Sequence, residues 1–203
     1  MAISIPFSAA CERNKDVILE TISPYLSNSE TVLEIGSGTA QHALHFAKQN
    51  PHLKWQTSDQ KQYLEGITAQ LKNSDVANIH LPFELNVNQM AWQKTPEQYE
   101  VIYTANTLHI MSWNDVQAFF AGLHQVTKDN AQLIVYGPFK YKGEFTSPSN
   151  QAFDQSLQER GVGSGIRDFE AVNELASNTG FNLIEDYKMP ANNQCLVWQK
   201  GNR

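Results

Sequence analysis

Cysteine is scarce in this chain, and the two that occur, Cys11 and Cys195, form neither a disulfide framework nor a CxxC pair. Positive charge is in deficit, because the formal net charge is -6, which disfavours a nucleic-acid binder that neutralises phosphates over a broad surface. No apolar run approaches the roughly 18 residues that span a bilayer, and the amino terminus lacks the features of a signal peptide. We therefore expect a cytoplasmic protein that binds neither nucleic acid nor membranes.

The sequence does contain a regular alternation of β-branched apolar runs with helical patterns, over a length of 203 residues that is typical of one domain. This alternation predicts a single α/β domain over residues 1–203, with a mainly parallel sheet and helices on both faces. The strands are predicted at 31–35, 53–57, 79–85, 101–105 and 133–136. The helices are predicted at 14–26, 40–49, 61–72, 116–126, 149–159 and 168–179.

The end of the chain breaks the alternation. Residues 181–187 and 194–199 are both typical of strands, and too few residues separate them for a helix. Two strands joined by a short connection are normally antiparallel, because a parallel crossover needs about a dozen residues or more. The sequence therefore predicts seven strands in all, with the last one antiparallel to the rest of the sheet.

The turn after the first strand, in the segment TVLEIGSGTAQHALHFA, is a candidate ligand site. Ligands of such sheets bind at the carboxyl ends of the strands, and Gly36 and Gly38 allow a tight turn and a close approach. A dinucleotide fingerprint needs a small residue where this chain has Gln41. Glu34 would repel a pyrophosphate but suits the ammonium and sulfonium groups of S-adenosylmethionine (SAM). SAM is therefore favoured over NAD, and a structural turn without a ligand is the remaining alternative.

A second acidic residue, Asp59, follows the second predicted strand. A carboxylate at that position can accept hydrogen bonds from both hydroxyls of a ribose, as it does in NAD sites. Asp59 therefore supports an adenosine ligand without distinguishing SAM from NAD. The alternative is that Asp59 caps the predicted helix at 61–72.

Seven segments, spread over nearly the whole chain, are informative when taken together. They are AACERNKDVIL at 9–19, LEIGSGTAQHALHFA at 33–47, ANTLHIMSW at 105–113, YGPF at 136–139, PSNQAFDQSL at 148–157, GIRD at 165–168 and MPANNQCLVW at 189–198. In these segments the chain resembles the class I SAM-dependent methyltransferases, and more closely an uncharacterised methyltransferase-like family found in bacteria and animals. The resemblance implies the Rossmann-like sandwich of that class, with SAM as the cofactor.

The resemblance also assigns cofactor contacts. It implies that the turn at Glu34, Gly36, Ser37 and Gly38 contacts the methionine end of SAM, and that Asp59 contacts the ribose.

For the adenine, the resemblance points to Leu85 and Asn86, where related proteins often have an aspartate that accepts from the amino group. The side-chain oxygen of Asn86 can still accept that bond. Asn106, at the tip of the fourth strand, is implied to border both the cofactor and the methyl acceptor.

Residues that act on the acceptor are harder to identify, because methyl transfer is mainly a matter of positioning. A base helps only when the acceptor carries a proton, as a hydroxyl does. His109 is the candidate base, since it follows the fourth strand and histidine titrates near neutral pH. The alternative is a histidine that forms hydrogen bonds in the wall of a pocket. Trp113 is either an apolar lid or a core residue.

The charge-rich segment ERNKD at 12–16 precedes or opens the first helix. A solvated charge run is its ordinary meaning, and Asn14 or Asp16 could cap the helix. The family resemblance centres on this segment, however, and we predict that Arg13 and Asn14 bind substrate, within a helical segment at 1–28 that lies over the site. The planar fork of Arg13 suits a carboxylate of the substrate or of SAM.

Arg167 is a second candidate for binding an anion, while the neighbouring Asp168 is first of all an expected helix N-cap. No metal site is expected, because His42 and His45 lack the HExxH spacing. Both histidines are interpreted as surface or packing residues.

The leading hypothesis is a SAM-dependent methyltransferase with a small-molecule acceptor, for which an anion is one option. The fourth strand is not followed by the Asn-Pro-Pro-Tyr-type sequence of enzymes that methylate amino groups of DNA bases or glutamine. A non-catalytic SAM-binding or interaction module is an alternative, since Ala40 replaces a glycine of the usual methyltransferase motif and Asn86 replaces an aspartate. An NAD-dependent oxidoreductase on a similar sheet is a further alternative.

Overall fold

The computed structural model describes residues 6–89, 92, 95, 97–161 and 163–201. The helices are α1 Ala9–Leu26, α2 Gln41–Gln49, α3 Leu64–Lys72, α4 Trp113–Val126, α5 Pro148–Gln158 and α6 Phe169–Asn178. The strands are β1 Thr31–Ile35, β2 Lys54–Asp59, β3 Ile79–Glu84, β4 Tyr99–Ala105, β5 Thr127–Gly137, β6 Phe139–Tyr141, β7 Glu144–Phe145, β8 Arg167–Asp168, β9 Phe181–Met189 and β10 Asn193–Lys200. In the part of the chain that the structure describes, each helix is too short or too polar to cross a membrane.

The main sheet has seven strands in the order β3-β2-β1-β4-β5-β10-β9. Strands β1 to β5 pair in parallel, whereas β10 is antiparallel to both of its neighbours, β5 and β9. The prediction of seven strands with an antiparallel last strand is therefore confirmed. β9 and β10 are joined by the single turn Pro190–Asn192, which is too short for a parallel crossover.

Each face of the main sheet carries an apolar layer. Successive side chains of a strand point to opposite faces, so that in β1 Leu33 and Ile35 join one layer while Val32 joins the other. The first layer is closed by α4 and α6, and the second by α1, α2 and α3. Every residue of β1 is buried, as expected for a central strand that is covered on both faces.

The first helix begins at Ala9 and not at residue 14, because Ser8 caps it by accepting from the backbone N–H of Cys11 at 3.3 Å. Asn14 and Asp16 therefore lie inside α1, and their interpretation as caps is wrong. Asp168 does occupy the N-cap position of α6, but its carboxylate accepts from the backbone N–H of Gly143 at 2.7 Å and not from the helix.

A small sheet that the sequence did not predict follows β5. Strands β6, β7 and β8 form this three-stranded sheet in the order β7-β6-β8, and the predicted helix α5 lies in the same stretch of chain. The end of this stretch packs against the loop after β4, where the backbone N–H of Gly165 donates to the carbonyl of His109 at 2.9 Å. The insertion thus covers the carboxyl ends of β4 and β5.

Candidate functional site

The chain turns sharply between β1 and α2. The N–H groups of Gly36 and Ser37 both donate to the carbonyl of Ser58, each at 3.0 Å, so that β2 holds the start of the turn. Gly36, Gly38 and Ala40 have φ angles of 77°, 56° and 57°, in the left-handed region that favours glycine. Ala40 therefore adopts a glycine-like conformation, and it does so at a fully buried position.

The two glycines of the turn have different roles. A Cβ on Gly36 would overlap with Cγ2 of Thr107, whereas a Cβ on Gly38 would meet nothing within 4 Å. The hydroxyl of Thr107 is hydrogen-bonded to that of Thr104, which donates to the carbonyl of Ile35 at 2.8 Å. Gly36 thus allows the loops after β1 and β4 to touch, while Gly38 leaves open space where a ligand can approach the backbone.

Asp59 ends β2 and lies directly beside the glycine turn. Its Oδ2 accepts from the backbone N–H of Gly38 at 2.7 Å, and its Oδ1 accepts from the N–H of Gln60 at 2.7 Å. Burial raises the pKa of Asp59, and these two N–H groups lower it. Gln60 occupies the N-cap position of the turn Lys61–Tyr63, so the interpretation of Asp59 as that cap is wrong. Each carboxylate oxygen keeps a lone pair for a ligand.

Glu34 is buried in the second apolar layer. Its Oε2 accepts from the indole N–H of Trp55 at 3.3 Å, and only 3% of the residue is exposed. Burial raises the pKa of Glu34 to about 8, with hydrogen bonds from Ser37 and Trp55 opposing the rise. The expected anion is therefore a neutral carboxyl at pH 7 unless a cation is close enough to restore the charge.

The remaining cofactor candidates also lie at the carboxyl ends of the strands. Leu85 is buried, and its N–H donates to the carbonyl of Asp59 at 2.9 Å. The side-chain oxygen of Asn86 accepts from the backbone N–H of Asn88 at 3.1 Å, which leaves it one lone pair. Asn106 has a φ of 58°, and its N–H donates to the carbonyl of Tyr136 at 2.8 Å. The cofactor roles of Leu85, Asn86 and Asn106 stay predictions.

His109 lies in the loop between β4 and α4 and is 7% exposed. The ring of Phe153, on α5, meets its imidazole edge-on with the ring centroids 5.4 Å apart. Burial, together with the positive charges of Arg167 and Arg160, lowers the pKa of His109 to about 4. The imidazole is therefore neutral at pH 7 and able to accept a proton.

Arg167 binds the loop that carries His109. Its guanidinium donates to the carbonyl of Leu108 at 2.9 Å, to that of Gly163 at 2.9 Å, and to that of Met111. The guanidinium N–H groups of Arg167, which were expected to bind an anion, thus donate to three backbone carbonyls. The substrate-binding role of Arg167 stays a prediction, but these contacts indicate a residue that fixes the loop.

Trp113 is the first residue of α4, which begins there because Ser112 and Asp115 form a capping box. Its half-buried side chain packs against the first apolar layer. This contact supports the core alternative for Trp113, and its role as a lid stays a prediction.

The ERNKD segment lies on α1 and packs along α2. Arg13 is exposed and, among the residues that the structure describes, it forms no ion pair or hydrogen bond. Three other polar residues of the segment pair with polar residues of α2: Glu12 with Gln41 at 3.1 Å, Asn14 with His42 at 2.7 Å, and Asp16 with His45 at 2.9 Å. These pairs give the segment a structural role, and the substrate-binding roles of Arg13 and Asn14 stay predictions.

Gln41 and His42 join α1 to α2, a role that their sequence pattern does not indicate. The side-chain oxygen of Gln41 accepts from the backbone N–H of Ser8 at 2.6 Å, which ties the start of α1 to the start of α2. His42 is 5% exposed and lies 3.4 Å from the hydroxyl of Tyr103. Burial lowers its pKa to about 4. Among the described residues, no group of three or more acidic, cysteine or histidine side chains could hold a metal ion.

A sequence model of the family described as "Protein of unknown function (DUF938)" matches residues 5–200. Among solved structures, the chain is similar to human N-acetylserotonin methyltransferase in complex with SAM, with a TM-score of 0.79 and 15% identity. It is also similar to an O-methyltransferase family protein from Burkholderia thailandensis, with a TM-score of 0.77 and 12% identity. Both similarities cover 95% of this chain, but only 53% and 60% of the two neighbours.

A putative O-methyltransferase from Nostoc punctiforme has a TM-score of 0.79 and 17% identity, over 94% of this chain and 56% of its own. The chain thus has the fold of the class I SAM-dependent methyltransferases, and it spans between about half and three fifths of the length of these neighbours. At these identities the similarity shows the fold alone.

Proposed function

The chain belongs to the DUF938 family, and from its fold and its site we propose that it is a SAM-dependent methyltransferase with a small-molecule acceptor. The observation that carries the proposal is the hydrogen bond between Asp59 and Gly38. It holds a carboxylate with spare lone pairs beside a glycine whose Cβ side is open. A ligand with a ribose next to a compact polar group fits this arrangement, and SAM is such a ligand.

The contacts of Gln41 support SAM over NAD. In a dinucleotide loop, the small residue at this position allows the helix to pack closely on the strand. Here the Gln41 side chain instead accepts from the Ser8 backbone and from the hydroxyl of Thr39, and donates to Glu12. Glu34 also supports SAM over NAD, since a cationic ligand stabilises its carboxylate form and a pyrophosphate destabilises that form.

The chain's own residues would divide the work as follows. SAM supplies a methyl group that is activated by a positive sulfur. The glycine turn, Glu34 and Asp59 bind and orient the cofactor, while Asn106 borders both the cofactor and the acceptor. His109, neutral at pH 7, takes the proton that a hydroxyl acceptor loses. The burial of His109 and the insertion after β5 exclude water from this region.

Two of the structural neighbours described above are named as O-methyltransferases and the third as a methyltransferase of N-acetylserotonin, a small molecule. These names support a small hydroxylated acceptor for this chain. We further propose that the chain forms a single methyltransferase domain in which the amino-terminal segment borders the cofactor. In support, Pro6 lies against Gly66 of α3, and Ser8 bonds to Gln41 of α2.

Calorimetry with SAM, S-adenosylhomocysteine and NAD tests the proposal. We expect SAM and S-adenosylhomocysteine to bind and NAD not to bind. Binding of NAD without binding of SAM would overturn the proposal in favour of an oxidoreductase. Binding of SAM without methyl transfer to any hydroxylated acceptor would favour the non-catalytic SAM-binding module.

A further inference from the structure

His109 is surrounded by positive charge and apolar surface. The charged groups that act on its imidazole are the guanidinium groups of Arg167 and Arg160. Phe153, which meets the imidazole, is 37% exposed, and Ile110, the next residue along the chain, is 52% exposed. The carboxylates of Asp154 and Asp115 act on Arg167, whereas Arg160 has no such partner among the described ion pairs.

The two arginines differ in what they are free to bind. Arg167 is bound to three backbone carbonyls. Arg160 is exposed, and among the residues described it forms no ion pair. Arg160 is therefore the cation near His109 that remains open to a ligand.

The position of Arg160 places it at the mouth of the His109 site. Arg160 lies two residues beyond the end of α5, where its backbone N–H donates to the carbonyl of Leu157 at 3.2 Å in the turn that closes the helix. Arg160 follows the helix that carries Phe153, and its charge is close enough to act on His109. Phe153 is the side chain of α5 that meets the imidazole of His109.

A neutral acceptor would create an electrostatic problem at this site. When His109 accepts a proton, its imidazolium forms next to two guanidinium groups, and like charges oppose the charged form. A ligand that brings a negative charge removes this opposition. It would pair with Arg160 through charge-assisted hydrogen bonds, for which the planar guanidinium is well suited.

We infer that the methyl acceptor is a small carboxylate with an apolar body, whose anionic group pairs with Arg160 while its apolar part contacts Phe153 and Ile110. This inference rests on the proposed function, because it names the substrate class of the same site. It assigns to Arg160 the anion-binding role that the sequence analysis gave to Arg13 and Arg167.

The inference is tested by following the imidazole resonances of His109 by NMR during titration with benzoate and with benzamide, its uncharged counterpart. The protein is saturated with S-adenosylhomocysteine in one series and free of it in another. We expect benzoate to shift the His109 signals saturably and to bind at least about tenfold more tightly than benzamide, which corresponds to about 1.4 kcal/mol. Arg160→Gln should remove this preference, and Arg160→Lys should keep most of it.

Lys54→Gln is the matched control, because Lys54 is an exposed cation at the opposite, amino-terminal end of β2. It should leave the preference for benzoate unchanged. Equal affinity for the two probes, no benzoate-dependent shift at all, or a preference that survives Arg160→Gln would each overturn the inference. These outcomes are separable from a failure of the proposed function, which would appear as an absence of SAM binding while the benzoate preference persists.

Discussion

Thr107 lies against Gly36, with its methyl carbon in the place that a Cβ on residue 36 would occupy. This contact joins the turn after β1, which we assign to the cofactor, to the loop after β4, which carries His109. The two halves of the proposed site are therefore coupled by the side chain of Thr107, which fits only because residue 36 has no side chain. A substitution at Gly36 should accordingly disturb both loops.

We predict that Gly36→Ala destabilises the protein by roughly 2–5 kcal/mol, the sum of the left-handed backbone penalty and overpacking. Gly38→Ala has a similar φ but open space for its Cβ, so it should cost only about 1–2 kcal/mol while weakening SAM binding. Urea unfolding and SAM calorimetry on both variants check this. Equal losses of stability would contradict the close contact with Thr107.

Asp59→Asn should weaken SAM binding by roughly 1–3 kcal/mol, because an amide cannot accept from both ribose hydroxyls and leaves a buried polar group unpaired. The amide oxygen can still accept from Gly38, so we expect unfolding to change less than SAM affinity does. Asp75→Asn is the control, since the Asp75 side chain is 83% exposed. If calorimetry gives the same SAM affinity for Asp59→Asn as for the unaltered protein, Asp59 has only a structural role.

Glu34 should make the ligand-free protein less stable as the pH rises. Its folded pKa of about 8 lies above the ordinary value of 4.5, so the folded state retains a proton that the unfolded state has lost. The stability that Glu34 contributes is complete below about pH 4.5 and is lost as the pH rises through 8. Glu34→Gln should abolish this decline, which urea unfolding between pH 5 and 9 measures. If the stability of Glu34→Gln declines with pH as that of the unaltered protein does, Glu34 is not the cause of the decline.

Much of this architecture could be predicted, because β-branched runs and turn residues determine strands locally. The seven strands, the reversal of β10 and the glycine turn all follow from short-range patterns. In the insertion after β5 the helix α5 was predicted, but the small sheet was not, because β7 and β8 have only two residues each, too few for a periodic signal.

Side-chain hydrogen-bond partners could not be predicted, because they are far apart in the sequence. The pairing of Asn14 with His42 joins residues 28 positions apart, and nothing local distinguishes it from a solvated charge run. The pKa values of Glu34 and His109 depend on burial, which only the folded chain defines. The residue types therefore indicated candidate site residues, but not which of them are charged.

Arg167→Gln should destabilise the protein by about 1–3 kcal/mol, because it leaves the partly buried backbone carbonyls of Leu108 and Met111 in the His109 loop without a donor. Arg160→Gln removes the same charge from an exposed position and should change stability by less than about 0.5 kcal/mol. Thermal or urea unfolding of the two variants makes the comparison. Similar stabilities for both would show that the hydrogen bonds of Arg167 contribute little to holding the loop.

His109→Gln should lower methyl transfer to a hydroxylated carboxylate by about 10²–10⁴-fold, the usual contribution of a general base, with SAM affinity unchanged. Because burial and two arginines lower the pKa of His109 to about 4, the base is neutral from pH 8 down to about pH 5. The rate should therefore stay level over that range and fall as the pH approaches 4. A bound carboxylate would move the fall to higher pH by favouring the imidazolium. Transfer of label from SAM, measured against pH for both proteins, checks the prediction, and equal rates would reject His109 as the base.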